Sequence, residues 1–153
     1  MRKETEHFFG HVLKENLRPR EFLAANYSFL NRELAEHYGM PGLKGNHFRK
    51  VSLSNASRGG ILGHASFLTA SANGVDTSPV VRGIYVMNKL LDYTPPPPPD
   101  DVPAIEPDVR GATTLREQLV KHRADATCAQ CHNKIDPAGF ALENYDAIGG
   151  WRD

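Results

Sequence analysis

Two thiols and one imidazole stand close together near the end of the chain. Cys128 and Cys131 are separated by two residues, and His132 follows directly. On a helix, residues three apart lie on the same face, so both sulfurs can reach one ligand. Cys-x-x-Cys-His is the attachment pattern of c-type haem, in which a histidine becomes the proximal iron ligand. We therefore predict covalent haem c, with Cys128, Cys131 and His132 as its binding residues and His132 as an iron ligand.

Two other uses of a cysteine pair remain as alternatives. A structural zinc site needs four ligands, and the chain has only two cysteines, so histidines such as His37, His64 or His122 would have to complete it. A redox-active pair or disulfide is the other alternative, but a redox Cys-x-x-Cys normally stands where a strand opens into a helix. Residues 114–123, just before the motif, read as helix instead. Haem is the favoured interpretation.

A distal iron ligand would have to come from upstream, because no Met or His follows His132. His64 interrupts an apolar run with a polar ring that needs a partner if it is buried. Met87 fits an uninterrupted apolar stripe and has a sufficient role in a core. We therefore predict His64 as a second metal ligand, with a hydrogen-bonded core histidine as the open alternative.

Charge and hydropathy exclude several classes of partner. The 153 residues include 18 basic and 18 acidic side chains, which cancel, so no electrostatic case exists for binding nucleic acid or an anionic membrane. No stretch approaches the length of apolar sequence that crosses a bilayer. The expected partner is an unidentified redox protein or a neighbouring module of the same longer chain.

The spacing of apolar residues predicts a mainly α protein. In order, the pattern indicates a helix over residues 4–16, a short helix beginning at Pro19, a third helix capped by Ser28, a loop over 40–57 with at most one short strand, a helix over 61–68, and a helix beginning at Ser78-Pro79.

The second half is organised around a proline run. Pro95 to Pro99 predict a stiff polyproline II strut within a linker at residues 94–110. Thr114 and Glu117 form a capping box for the next helix. The haem-motif segment covers residues 113–153, and its helix is expected to end at Asp136-Pro137, where Asp136 would cap the following turn.

Several further side chains are candidates for contacts with haem. Guanidinium groups suit carboxylates, so Arg58, Arg82 and Arg123 are candidate partners of the haem propionates, with surface ion pairs as the alternative. A haem edge also needs an apolar wall. We expect it from the residues after the motif: Phe140, Leu142, Tyr145, Ile148 and Trp151.

Longer motifs place these residues in a known context. The segments LNRELAEHYG (30–39), RGGIL (58–62), TSPVVRG (77–83) and CAQCHNKIDPAGFALENYDAIG (128–149) resemble the planctomycete cytochrome c-like multidomain secreted proteins, whose conserved domains are of unknown function. The resemblance implies the helical tail of one module at residues 1–54 and a cytochrome c-like module at residues 55–153. It implies a small helical cytochrome c-like haem domain, preceded by a helical segment and joined by the proline strut.

The start of the chain also bears on location. Haem is attached to such motifs outside the cytoplasm, yet the first residues lead into an amphipathic helix and not into an apolar signal core. We therefore expect a fragment of a longer protein that is periplasmic or secreted. Electron transfer is the favoured function, and a structural module stapled by haem or metal is the alternative. A peroxidase-like haem enzyme is a second alternative, so we favour an electron-transfer or binding module over a catalyst.

Overall fold

The computed structural model describes residues 1–53, 57–97 and 115–152. Its secondary structure is mainly α-helical with one small sheet, which confirms the predicted class at that level, while the cytochrome c-like fold stays a prediction. The chain divides into two compact units. The first combines Met1–Ser78 with Leu142–Asp153, and the second is Pro79–Ala141. These compact units divide the chain differently from the predicted modules, 1–54 and 55–153. The module boundaries stay a prediction.

The first unit contains the sheet and the shorter helices. Its elements in chain order are α1 (Arg2–Lys14), α2 (Glu21–Ala24), β1 (Tyr27–Leu30), α3 (Arg32–His37), β2 (Arg49–Ser52), a 3-10 turn (Ile61–Gly63) and α4 (Ala65–Ala70). The predicted helix over 4–16 and the short helix after Pro19 correspond to α1 and α2. Strands β1 and β2 are antiparallel, with Tyr27 opposite Ser52.

The helix cap predicted at Ser28 is wrong. Ser28 is the second residue of β1, where its hydroxyl is buried and donates to Glu4. Asn31 caps α3 instead, since its side-chain oxygen accepts a hydrogen bond from the Leu34 amide at 3.0 Å. Asn is as good an N-cap as Ser, and the buried partner of Ser28 selects between the two positions.

The predicted helix over 61–68 is also interrupted. Residues 61–63 form a 3-10 turn, and His64 has an extended backbone with φ −74° and ψ 133°. His64 therefore stands at the N-cap position of α4 and not within a helix. This break turns the imidazole into the interior of the first unit, where only 2 % of the residue is exposed.

The described part of the second unit contains three helices: α5 (Pro79–Leu90), α6 (Leu115–His122) and α7 (Ala126–Phe140). The predicted helix start at Ser78-Pro79 and the helix before the motif are confirmed by α5 and α6. Pro95 to Pro97 have no regular secondary structure. The rest of the proline run and linker, and Thr114 of the capping box, lie outside the described residues.

The helix end predicted at Asp136-Pro137 is wrong, because α7 continues to Phe140. Pro137 lies inside the helix, on the face that is exposed to solvent. The missing proline N–H therefore lies at the solvent-facing side, where water can satisfy the carbonyl that loses its partner. Asp136 consequently stands within a helix and does not cap a turn.

Two glycines allow α5 and α7 to touch backbone to backbone. A Cβ added to Gly83 of α5 would collide with the carbonyl oxygen of Ile135 in α7. A Cβ added to Gly139 of α7 would collide with the carbonyl oxygen of Pro79. Glycine is thus required at both ends of this contact, and the contact fixes α7, which carries the cysteines, against α5.

The substitution Gly83→Ala tests this packing. Alanine has a higher helix propensity, worth about 1 kcal/mol, but insertion of a methyl group against a rigid backbone costs about 1–3 kcal/mol. We expect a net loss of up to about 2 kcal/mol in the free energy of unfolding, measured by urea titration followed by circular dichroism. Gly10→Ala in α1 is the control, because no atom apart from its chain neighbours and the nearby backbone of α1 lies within 4 Å of the added Cβ, and the propensity gain should stabilise it. A stabilised Gly83→Ala variant would contradict the close contact.

Candidate functional site

The Cys-x-x-Cys-His residues lie in the first two turns of α7. Asp125 caps this helix, since its carboxylate accepts hydrogen bonds from the amides of Thr127 at 2.8 Å and Cys128 at 3.3 Å. These two backbone hydrogen bonds lower the pKa of Asp125. The cap therefore anchors the turn from which the first thiol projects.

Neither cysteine is in a disulfide, and both are half-buried. Their spacing on α7 places the sulfurs on one face of the helix. Half-burial leaves them reachable by a ligand, whereas a core cysteine would be closed off. The sequence prediction that Cys128 and Cys131 share a face thus agrees with their position on α7.

His132 is held through one of its two ring nitrogens. Nδ1 lies 2.8 Å from Oδ1 of Asp136, one turn further along α7. Within the described residues, Nε2 has no hydrogen-bond partner, so it is the nitrogen left for a metal. The side chain of His132 is 13 % exposed and that of Asp136 is fully buried. The ring of His122 meets the His132 ring edge-on, with centroids 4.9 Å apart, which gives His122 a packing role.

These donors fit haem c as a group. Haem attachment asks for two thiols on one face of a helix and an adjacent imidazole with a free nitrogen, and α7 supplies all three. Within residues 1–53, 57–97 and 115–152, no group of three or more His, Cys, Asp or Glu side chains is placed to hold a metal ion, and both the haem and the zinc interpretation stay predictions.

His64 lies in the first unit, within a buried polar cluster. Its Nδ1 is 2.9 Å from the Thr5 hydroxyl, and its Nε2 is 3.4 Å from the Ser28 hydroxyl. The ring of Phe8 packs edge-on against it, with centroids 4.9 Å apart. These contacts give the imidazole a role in the core, as in the alternative stated from the sequence. Ligation of iron by His64 stays a prediction.

Glu4 is the centre of the same cluster and is fully buried. Its two carboxyl oxygens accept hydrogen bonds from the hydroxyls of Ser28 and Tyr38, each at 2.6 Å. Burial raises the pKa of Glu4 to about 7, although both hydrogen bonds favour the charged form. Burial also lowers the pKa of His64 to about 3, and the Arg58 charge adds to this effect. Both side chains are therefore neutral between about pH 3 and pH 7. In that range the 4.0 Å distance from Glu4 Oε1 to His64 Nε2 joins two uncharged groups.

The arginines proposed from the sequence as propionate partners have different settings. Arg58 donates to the carbonyls of Gly63 at 2.5 Å and Gly149 at 2.7 Å, and its guanidinium lies over the Tyr38 ring. Arg82 is fully buried on α5. Contact of any of the three arginines with a propionate stays a prediction, as does a ligand role for Met87, which is 7 % exposed.

Most of the predicted apolar wall belongs to the first unit. Leu142 and Tyr145 are buried there, and the Tyr145 ring packs edge-on against Trp151, with centroids 5.1 Å apart. Ile148 is 51 % exposed. Phe140 belongs to the second unit, where the guanidinium of Arg116 lies over its ring. Contact of these residues with haem stays a prediction.

Sequence reasoning missed two features of the described structure. It assigned Asp136 to a turn, although the spacing of His132 and Asp136 matches neighbours one turn apart on a helix and gives a usable signal. It gave no role to Glu4, for which the sequence contains no local signal. The partners of Glu4 are 24 and 34 residues away, so only the folded unit brings them together.

The buried cluster predicts how stability depends on pH. Glu4 has a raised pKa, so its contribution is full below pH 4.5 and is lost as pH rises to about 7, with a total on the order of 3 kcal/mol. His64 has a lowered pKa, so its contribution is present above pH 6.5 and is lost as pH falls towards 3. As pH rises from 4.5 to 6.5, the stability lost at Glu4 is offset by the stability gained at His64. The unfolding free energy should therefore have a plateau between pH 4.5 and 6.5 and fall on both sides.

The substitution Glu4→Gln isolates the carboxyl group. We expect the difference in unfolding free energy between variant and wild type to grow in favour of the variant from pH 5 to pH 8, measured by urea titration at each pH. Glu6→Gln is the control, because Glu6 is exposed and pairs with Arg2, which is also exposed. A pH-independent difference for Glu4→Gln would show that folding does not raise the pKa of the Glu4 carboxyl group.

Comparison with known proteins bears on both halves of the chain. Residues 58–153 match the model of a family described as protein of unknown function (DUF1588), and residues 1–40 match one described as protein of unknown function (DUF1592). No match was found among curated proteins or among solved structures. None of the helices in the described residues is long and apolar enough to cross a membrane.

Proposed function

Because the chain belongs to the DUF1588 family, we propose that its second unit binds one haem c covalently and transfers electrons. The domains DUF1588 and DUF1592 are typical of planctomycete cytochrome c-like proteins, which supports this context. We propose the same setting for this chain: an extracytoplasmic multidomain protein in which electrons pass to a redox partner or to neighbouring modules. The observation that carries the proposal is the pair of half-buried thiols on one face of α7, neither of them in a disulfide, followed by His132 with Nε2 available.

The cysteines and the histidine of α7 have different roles in the proposed haem attachment. Cys128 and Cys131 would hold haem through thioether bonds, each formed by adding the thiol S–H across one vinyl group, with the sulfur on the carbon next to the ring and the hydrogen on the terminal carbon. The addition consumes no oxidant or reductant. His132 would hold the iron through Nε2, because its Nδ1 contacts Asp136. When bound, haem supplies a centre that accepts and gives up one electron at a time.

Electron transfer asks for less from the chain than catalysis does. It needs an iron held firmly by its ligand, and the close contact between α5 and α7 supports a rigid site. A peroxidase-like enzyme also needs an acid or base above an open iron face. Among the described residues, His122 contacts the His132 ring and Asp136 contacts its Nδ1. Both have roles next to the proximal ligand itself, so electron transfer is the better-supported function.

Covalent attachment is tested by expressing the full chain behind an export signal together with a cytochrome c maturation system. Wild type should keep its haem in a denaturing gel and show the mass of one haem added. Cys128→Ala and Cys131→Ala should each leave only one thioether bond, and the double variant should bind no haem covalently. Gln130→Ala is the matched control, because it changes an exposed residue between the cysteines and keeps the motif.

A positive control makes a negative result for this chain interpretable. A known c-type cytochrome expressed in the same cells should be loaded with haem. If that cytochrome is loaded while this chain stays colourless, or if the purified chain contains one zinc ion, the proposal is wrong.

A further inference from the structure

His132 shares its helix with a carboxylate that solvent does not reach. Asp136 is fully buried, and its Oδ1 lies 2.8 Å from His132 Nδ1. A buried carboxylate is costly unless it is paired, whereas exposed pairs at this helical spacing contribute little. The contact between His132 and Asp136 therefore belongs to the packed interior of the second unit.

The other oxygen of Asp136 meets a cation. Oδ2 lies 3.6 Å from Nε of Arg123, beyond hydrogen-bond distance, and it has no hydrogen-bond partner among the described residues. The Arg123 side chain is 29 % exposed. The only hydrogen bond of the Asp136 carboxylate within the described residues is thus the one from His132, and Arg123 acts on it through charge.

We infer that Asp136 is a positioning residue for His132: it holds the ring proton at Nδ1, directs the Nε2 lone pair outward, and lowers the reduction potential of the iron that Nε2 would bind. The inference about potential rests on the proposed haem site. The inference about the ring proton does not, because it concerns only residues of α7.

The sign of the effect follows from charge. A carboxylate that accepts the Nδ1 proton makes the imidazole more basic and donates electron density towards the metal. A more electron-rich ligand stabilises ferric iron relative to ferrous iron, which lowers the potential. Arg123 opposes Asp136, because its positive charge withdraws density from the same carboxylate. Loss of Asp136 and loss of Arg123 should therefore shift the potential in opposite directions.

The ring proton can be measured without haem. In the full-length apoprotein, nitrogen-15 NMR of His132 at a pH where the imidazole is neutral should show the proton at Nδ1. Asp136→Leu removes the acceptor, so the proton should move mainly to Nε2. A wild-type proton at Nε2, or an Asp136→Leu variant with an unchanged tautomer, would overturn the inference.

The potential is measured on the matured haem protein. Asp136→Asn keeps an acceptor oxygen but loses the charge, so it should favour reduction by roughly tenfold, which for one electron is about 59 mV in the positive direction. Arg123→Gln should shift the potential negatively. Asp92→Asn is the matched control, because Asp92 is an exposed acid of the same unit whose backbone, with φ 50°, also suits Asn.

The outcomes separate this inference from the proposed function. If haem attaches but Asp136→Asn leaves the potential unchanged, the inference is wrong and the proposed function stands. A positive shift in both the Asp136 and Arg123 variants would indicate a loosened site and would also overturn it. If wild type takes up no haem, the proposed function fails, and the tautomer measurement still decides whether Asp136 positions His132.

Discussion

The backbone contact between α5 and α7 is the constraint on which the candidate site depends. The helices approach so closely at Gly83 and Gly139 that no side chain fits between them. This contact fixes the position of α7 against α5. A fixed α7 in turn fixes the cysteines and His132, since they occupy its first two turns. The candidate site is therefore built on a helix that is fixed against its neighbour, and its geometry does not depend on a loop.

Buried carboxyl groups have opposite consequences in the two units. Glu4 receives hydrogen bonds from two hydroxyls, and burial still raises its pKa to about 7. It is a structural group that links α1 to β1 and α3. Asp136 receives its hydrogen bond from His132, the proposed iron ligand, and faces Arg123. A buried carboxyl group thus joins several elements of the core in one unit, whereas in the other it contacts the imidazole that we propose as the iron ligand.

Local patterns predicted the parts of the chain that depend on local physics. The Cys-x-x-Cys-His motif, the amphipathic α1 and the start of α5 at Pro79 follow from spacing and from proline chemistry. Long-range partners decided the rest. Ser28 became a strand residue because it meets Glu4, and α7 passes through Pro137 because that side of the helix is exposed. No pattern within a short window contains that information.

The most direct measurement is the pyridine haemochrome spectrum of the full chain after export and maturation, compared with spectra of proteins that hold haem through two, one or no thioether bonds. The proposed attachment through Cys128 and Cys131 predicts the absorption band of haem with two thioether bonds and one haem per chain. A band at the position for unattached haem, or no haem in cells that mature another c-type cytochrome, would contradict it.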